Sequence, residues 1–207
     1  MSKVFEAMGM RAMYTCQFHH SRHYQAQRGA SLIMVMLILV VVSLLGVGGA
    51  QIALMSERGA RNDRDQQVAW QAAEAALIDA EIDMKIGNPG DPTHDRKDNF
   101  NDKLNFRSAF DPSGKYVGLF DGTLQGKPAW LTVDFTATGS GAPTTEFGAF
   151  TGRTFAAGGV GVQPAKAPRY IIEWIVDKDN NPLYRITAMG FGPRADIQAV
   201  LQTIYRI

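Results

Sequence analysis

The feature that most constrains this chain is a run of 28 residues, 29–56, that contains no charged side chain. Its densest part, residues 30–50, reads ASLIMVMLILVVVSLLGVGGA. An α-helix rises about 1.5 Å per residue, so about 20 apolar residues cross the hydrocarbon core of a bilayer. Core helices of soluble proteins rarely run this long without a polar face. The segment is therefore predicted to be a transmembrane helix.

The charges on either side of this segment predict its orientation. Residues 1–29 carry four basic side chains and one acidic one, a net charge of +3, whereas the remaining residues net −2. Positively charged flanks stay in the cytoplasm, so the N-terminus is expected there and the C-terminal part in the periplasm. The near-neutral remainder has no cluster of lysine and arginine, and a nucleic-acid partner is not expected.

The chain offers few side chains for catalysis. Its single cysteine, Cys16, and three of its four histidines lie within residues 1–29. If that segment is removed, only His94 remains, which excludes a disulfide, a cysteine-based zinc site and a Cys/His nucleophilic pair. No P-loop, G-x-S-x-G or H-E-x-x-H motif is present. We therefore expect neither an enzymatic activity nor a cofactor.

The junction in front of the apolar run predicts a processing site. A secretory signal peptide would have a shorter apolar region followed by an A-x-A-like cleavage site. Here Arg28 and Gly29 directly precede the helix, and glycine can keep a scissile bond extended because it disfavours helix. The junction resembles the class III, prepilin-type signal peptides. That resemblance implies that a prepilin peptidase cuts between Gly29 and Ala30 and methylates the new N-terminus.

The helix is predicted to continue well beyond the membrane. Residues 57–81, ERGARNDRDQQVAWQAAEAALIDAE, are rich in helix formers and contain no proline. One apolar stripe at spacings of three and four consists of Trp70, Ala73, Leu77, Ala80 and Met84. It is expected to cover a sheet, with Trp70 and Leu77 as the packing side chains. Gly87 and Pro89 should end the helix near residue 86. The prediction is one helix of about 55 residues.

Two regions follow the helix. Residues 87–167 hold 13 of the 21 glycines and six of the nine prolines, which indicates long loops, with one strand expected at residues 129–137. In residues 168–207, apolar side chains alternate in three runs separated by turn residues, which predicts an antiparallel meander. One helix packed on a small antiparallel sheet is an α+β fold.

Asp177, Asp179 and Asn181 have the spacing that opens a calcium-binding loop. However, Pro182 stands where such a loop has glycine, and Ala188 stands where it has a bidentate glutamate. Aspartate, asparagine and proline are also typical of a hairpin turn, and this second interpretation is favoured.

Two stretches carry a resemblance to a family. They are residues 57–81, quoted above, and the C-terminal pair YRITA (184–188) and VLQTIYR (200–206). Both are similar to PilX-type minor pilins of the type IV pilus. The resemblance implies a pilin-like fold in five parts: a leader (1–29), a transmembrane and filament-core helix (30–56), its amphipathic continuation (57–86), a loop-rich variable region (87–167) and the meander (168–207).

The resemblance also implies a function and partners. The chain would be cut in the bacterial inner membrane and then join other minor pilins and the major pilin in a filament. There it would help to initiate pilus assembly at or near the tip and would contact a PilY-type adhesin. Major pilins carry a glutamate five positions after the cut, where this chain has Met34. In the resemblance that glutamate neutralises a neighbouring subunit's N-terminal ammonium. A subunit without it fits the first place in the filament.

Two other functions remain open from the sequence. One is a minor pseudopilin of a type II secretion system. The other is a single-pass periplasmic protein that never enters a filament, for which an uncut N-terminus is expected.

Overall fold

The computed structural model describes residues 30–111, 114–124 and 126–206, and this part of the chain divides into two compact units after Ile52. Helix α1 covers Ala30–Lys85, 56 residues, which confirms the prediction of one long helix. It ends where Gly87 takes a φ of +69°, a left-handed conformation that glycine adopts without steric cost. The Gly87 N–H still donates to the Ile82 carbonyl at 2.9 Å, so the last turn is closed.

Within the described residues, the main sheet has five strands. The strands are β1 (Leu119–Phe120), β4 (Thr145–Glu146), β5 (Arg169–Val176), β6 (Pro182–Phe191) and β7 (Gln198–Tyr205). The last three form the predicted antiparallel meander, with Tyr170 opposite Ala188 and Ala188 opposite Leu201. The two short strands pair with β5, β1 in parallel and β4 antiparallel.

The sheet is therefore mixed, whereas the sequence predicted an antiparallel one. The parallel pair is possible because residues 121–168 lie between β1 and β5, and a parallel connection needs a dozen or more residues. Two-residue strands such as β1 are too short to give a periodic signal in the sequence.

The variable region holds the remaining short elements. Three 3₁₀-helices cover Lys97–Asn101, Lys103–Asn105 and Gly114–Tyr116, strands β2 (Thr123–Leu124) and β3 (Lys127–Pro128) form a hairpin, and helix α2 covers Ala129–Thr132.

The strand predicted at residues 129–137 is wrong, because the segment begins with α2. Pro128 directly precedes α2, and the Ala129 N–H at its first position donates to the Glu173 carboxylate at 2.8 Å. A carboxylate that accepts from an N–H at a helix N-terminus stabilises the helical turn. Leu131 is exposed and Phe135 is buried, so their alternate spacing does not place them on one face.

The core lies on both faces of the meander. One face packs against residues 69–84 of α1, and its central side chains are Tyr170, Ile172 and Ile186. The opposite face of β5 presents Ile171 to a second cluster formed with residues 120–135. Successive strand residues point to opposite faces, so β5 is buried on both sides while α1 covers one.

Candidate assembly surfaces

The N-terminal half of α1 presents an apolar surface. Among the described residues, α1 is the helix that is long and apolar enough to cross a membrane. The large side chains of its N-terminal half are exposed, for example Leu32 at 62% and Leu45 at 70%. Apolar surface of this extent needs a cover, either lipid or other apolar helices.

One of the two predicted processing residues lies at the start of this surface. Ala30 is the first residue of α1, while Gly29 lies outside the described residues. Met34 is one turn further along the helix and is 68% exposed. The first carboxylate after Ala30 in the sequence is Glu57, so no acidic group accompanies the apolar segment.

The second half of α1 meets the sheet through small side chains. Ala69, Ala73, Ala76 and Ala80 are all fully buried. Ala69 and Ala73 form a cluster with Ala199 of β7, and Ala76 and Ala80 belong to the core cluster around Ile172. The predicted stripe includes Ala73 and Ala80, so part of this contact was predicted, whereas Ala69 and Ala76 were not in the stripe.

The structure corrects the prediction for Trp70. Its side chain is half exposed, and its indole Nε1 donates to Glu74 Oε1 at 2.8 Å on the helix surface. The helix backbone comes closest to the sheet beside Trp70, opposite Gly190, and there the buried positions belong to the small side chains of Ala69 and Ala73. Leu77, the other predicted packing residue, is partly buried and packs against the core cluster around Ile172.

Two buried acidic residues of α1 hold the variable region in place. Asp83 is the first, and its Oδ2 accepts from Arg96 Nη2 at 2.6 Å, with both side chains fully buried. The Arg96 guanidinium also lies 3.8 Å from the centre of the Phe150 ring. Tyr170 donates its hydroxyl to Asp83 Oδ2 at 2.8 Å, and burial raises the pKa of Tyr170 well above its ordinary value. Removing one partner of such a buried pair typically costs about 3–5 kcal/mol.

Asp79, one turn earlier, is the second of these residues. Its carboxylate accepts from the Gly148 N–H at 2.7 Å and from the Thr151 hydroxyl at 2.6 Å. Arg153 lies 3.4 Å away. Burial raises the pKa of Asp79 above its ordinary value, because these hydrogen bonds only partly compensate for lost hydration. Neither carboxylate was identified from the sequence as a packing residue.

The calcium candidates lie in the hairpin turn between β5 and β6. Asp177 accepts from the backbone N–H groups of Asp179 at 2.9 Å and Asn181 at 2.8 Å, and from Arg206 at 2.9 Å. These hydrogen bonds lower the pKa of Asp177, and those from Asn181 lower it most. The carboxylate is thus engaged within the turn. Within residues 30–206 as described, no three His, Cys, Asp or Glu side chains are grouped so that they could hold a metal ion.

Two family models match the chain. One, described as PilX N-terminal, matches residues 28–77, and the other, described as type IV pilus assembly protein PilX C-term, matches residues 59–207. The second match includes the variable region, for which the sequence motifs gave no resemblance. No curated protein and no solved structure matches the chain.

Proposed function

The chain belongs to the PilX family of type IV pilus assembly proteins and is a minor pilin, and from this premise we propose that it is cleaved after Gly29, enters the filament at or near its tip and helps to initiate assembly. Its role is structural. It first resides in the inner membrane as a single-pass protein, with its N-terminus in the cytoplasm and its C-terminal domain in the periplasm.

The observation that carries this proposal is the difference in burial between the two halves of α1. One helix, Ala30–Lys85, is apolar and exposed in its first half and buried by its own sheet in its second half. Burial of apolar surface contributes about 25 cal/mol per Å². The first half can therefore be held by lipid before assembly and by the helices of neighbouring subunits afterwards.

Met34 supports the place at or near the tip. Within an apolar filament core, an ammonium without a counter-charge costs several kcal/mol, on the order of the penalty for an unpaired charge in lipid. Met34 has no carboxylate to offer to the ammonium of an earlier subunit. A subunit that has no earlier neighbour does not need one.

The partners proposed for this role are other minor pilins, the major pilin and a PilY-type tip adhesin, after processing by a prepilin peptidase. The variable region would contribute the exposed end of the subunit. Its attachment to α1 through Asp79 and Asp83 gives that region a fixed geometry for partner binding.

Sheared pili test the tip assignment. Quantitative mass spectrometry should find this chain at trace stoichiometry beside the major subunit, and an epitope on it should be labelled at pilus ends. Deletion of the gene should reduce the number of pili without changing the shaft. Labelling spread evenly along the shaft would refute the tip assignment and leave membership of the filament intact.

A further inference from the structure

Strand β7 has an outer edge that no other described strand covers. The Gly192 N–H donates to the Ile197 carbonyl. Together with the register of β6 and β7, this bond shows which facing residues form hydrogen-bonded pairs. Because hydrogen-bonded and non-bonded pairs alternate, Val200, Gln202 and Ile204 direct their backbone N–H and C=O groups away from β6. They form a row of donors and acceptors to which the described part of the chain adds no further strand.

This edge lacks the usual protection against pairing. Its eight residues, QAVLQTIY, include no charge and no proline, and their register with β6 continues without a bulge. Native proteins commonly block exposed edges with such features. The flanks of this edge are the two faces of β7. On one flank, the side chains of Val200 and Ile204 are 51% and 62% exposed, so the strand offers apolar surface beside its outward backbone groups.

The other flank of β7 is a shallow cleft against α1. The cleft has a volume of about 300 Å³ and is lined by Glu74, Leu77, Ile78, Glu81 and Thr203. Ile78 is more than half exposed. A strand added to β7 would place alternate side chains in this cleft, where apolar groups meet Leu77 and Ile78 and a basic group meets the two glutamates.

We propose that the outer edge of β7 and this cleft dock an extended segment of another pilus protein, which adds to the sheet as a further strand. The segment carries apolar residues at alternate positions and a basic residue opposite Glu74 and Glu81. A second copy of this chain fits less well, because β7 itself has no basic residue and Arg206, which follows it, pairs with Asp177. The identity of the partner as a pilus protein rests on the proposed function.

Photo-crosslinking of the full chain in piliated cells tests this docking. Benzoylphenylalanine is placed at Ile78 or at Ile204, on the two flanks of the edge. The control position is Leu104, which is 76% exposed and precedes the Arg107–Phe120 bridge at the β1 side of the sheet. Both test positions should crosslink to the same extended segment of one pilus protein, as mapped by mass spectrometry, and the Leu104 position should not.

A matched pair of variants tests strand addition itself. Gln202→Pro removes an outward N–H, at the kind of edge position where proline is tolerated in a strand. Gln202→Ala loses the same side-chain hydrogen bond to the Thr187 hydroxyl, at 2.8 Å, but keeps the N–H. Crosslink yield should fall about tenfold for the proline variant, because the loss of one hydrogen bond weakens binding by about this factor. It should be unchanged for the alanine variant, and both variants should melt like the parent.

Three results would overturn the proposal: no crosslink from either flank, crosslinks to a second copy only, or equal yields from the proline and alanine variants. Immunoblots of sheared pili separate this failure from a failure of the proposed function. A chain that is present in pili but does not crosslink refutes the docking surface alone. A chain that is absent from pili refutes the filament role, and the crosslinks then decide the docking surface independently.

Discussion

Gly190 in β6 lies so close to Ala69 in α1 that a β-carbon on the glycine would come 2.1 Å from the Ala69 carbonyl oxygen. It would also come 2.3 Å from the Ala73 backbone nitrogen. Both atoms belong to the helix backbone and cannot swing aside as the end of a flexible side chain can. Gly190 and the alanines opposite it therefore set the distance between helix and sheet.

Gly190→Ala is expected to lower the free energy of unfolding by about 1–3 kcal/mol, the usual cost of overpacking a core. A fragment of residues 53–207 suits the measurement, because it contains every buried hydrophobic residue of the described chain. Gly141→Ala is the matched control, since a β-carbon there meets no atom within 4 Å. Equal urea midpoints for the two variants would contradict the close helix–sheet approach.

Trp70 and Leu77 should differ in their effect on stability. Trp70→Ala changes a half-exposed side chain and should shift the free energy of unfolding by no more than about 0.5 kcal/mol, as surface substitutions do. Leu77→Ala removes a side chain that contacts the core and should cost about 1–3 kcal/mol. Thermal melts of the same fragment measure both. A larger loss for Trp70→Ala than for Leu77→Ala would mean that the helix packs with its other face.

Periodicity was enough to predict α1 and the meander. The apolar run and the Gly87-Asn88-Pro89 stop define the helix, and strict alternation defines β5 and β7. These signals are local, because each is repeated several times along one element. The short strands β1 and β4 depend on where the loops meet the sheet, which no local pattern contains.

Hydrophobic spacing predicted the face of α1 that packs on the sheet, except at Trp70. Trp70 is the largest apolar side chain in residues 57–86, but small size decides the contact opposite Gly190. Asp79 and Asp83 appear in the sequence as ordinary polar helix residues. Their burial depends on Thr151 and Arg96, which are distant in the chain.

Asp79 should make stability depend on pH. Its pKa is raised in the folded state above the ordinary 3.8, so its contribution is fully present below 3.8 and is lost as pH rises through the folded pKa. The stability of the parent fragment relative to Asp79→Asn should therefore increase as pH falls from 7 toward 3.8. Urea unfolding at a series of pH values measures this difference. A flat difference would show that the hydrogen bonds from Gly148 and Thr151 balance the effect of burial on the pKa of Asp79, and a difference that falls with acidification would show that they outweigh it. Either result would contradict the prediction.

Met34→Glu should not improve assembly. If the subunit comes first in the filament, the new carboxyl enters an apolar environment without a partner ammonium, and burying it there is costly. The amount of this chain in sheared pili should stay the same or fall, and Met34→Leu serves as the isosteric control. An increase in incorporation for Met34→Glu alone would place the subunit behind an earlier one.

The intact mass of the chain recovered from pili decides whether it is a processed filament subunit. The expected polypeptide starts at Ala30 and is methylated at its N-terminus, and Gly29→Leu should leave the chain uncut and absent from pili. Recovery of the full-length chain from cells with an active prepilin peptidase, with none of it in the pilus fraction, would contradict a role as a processed filament subunit.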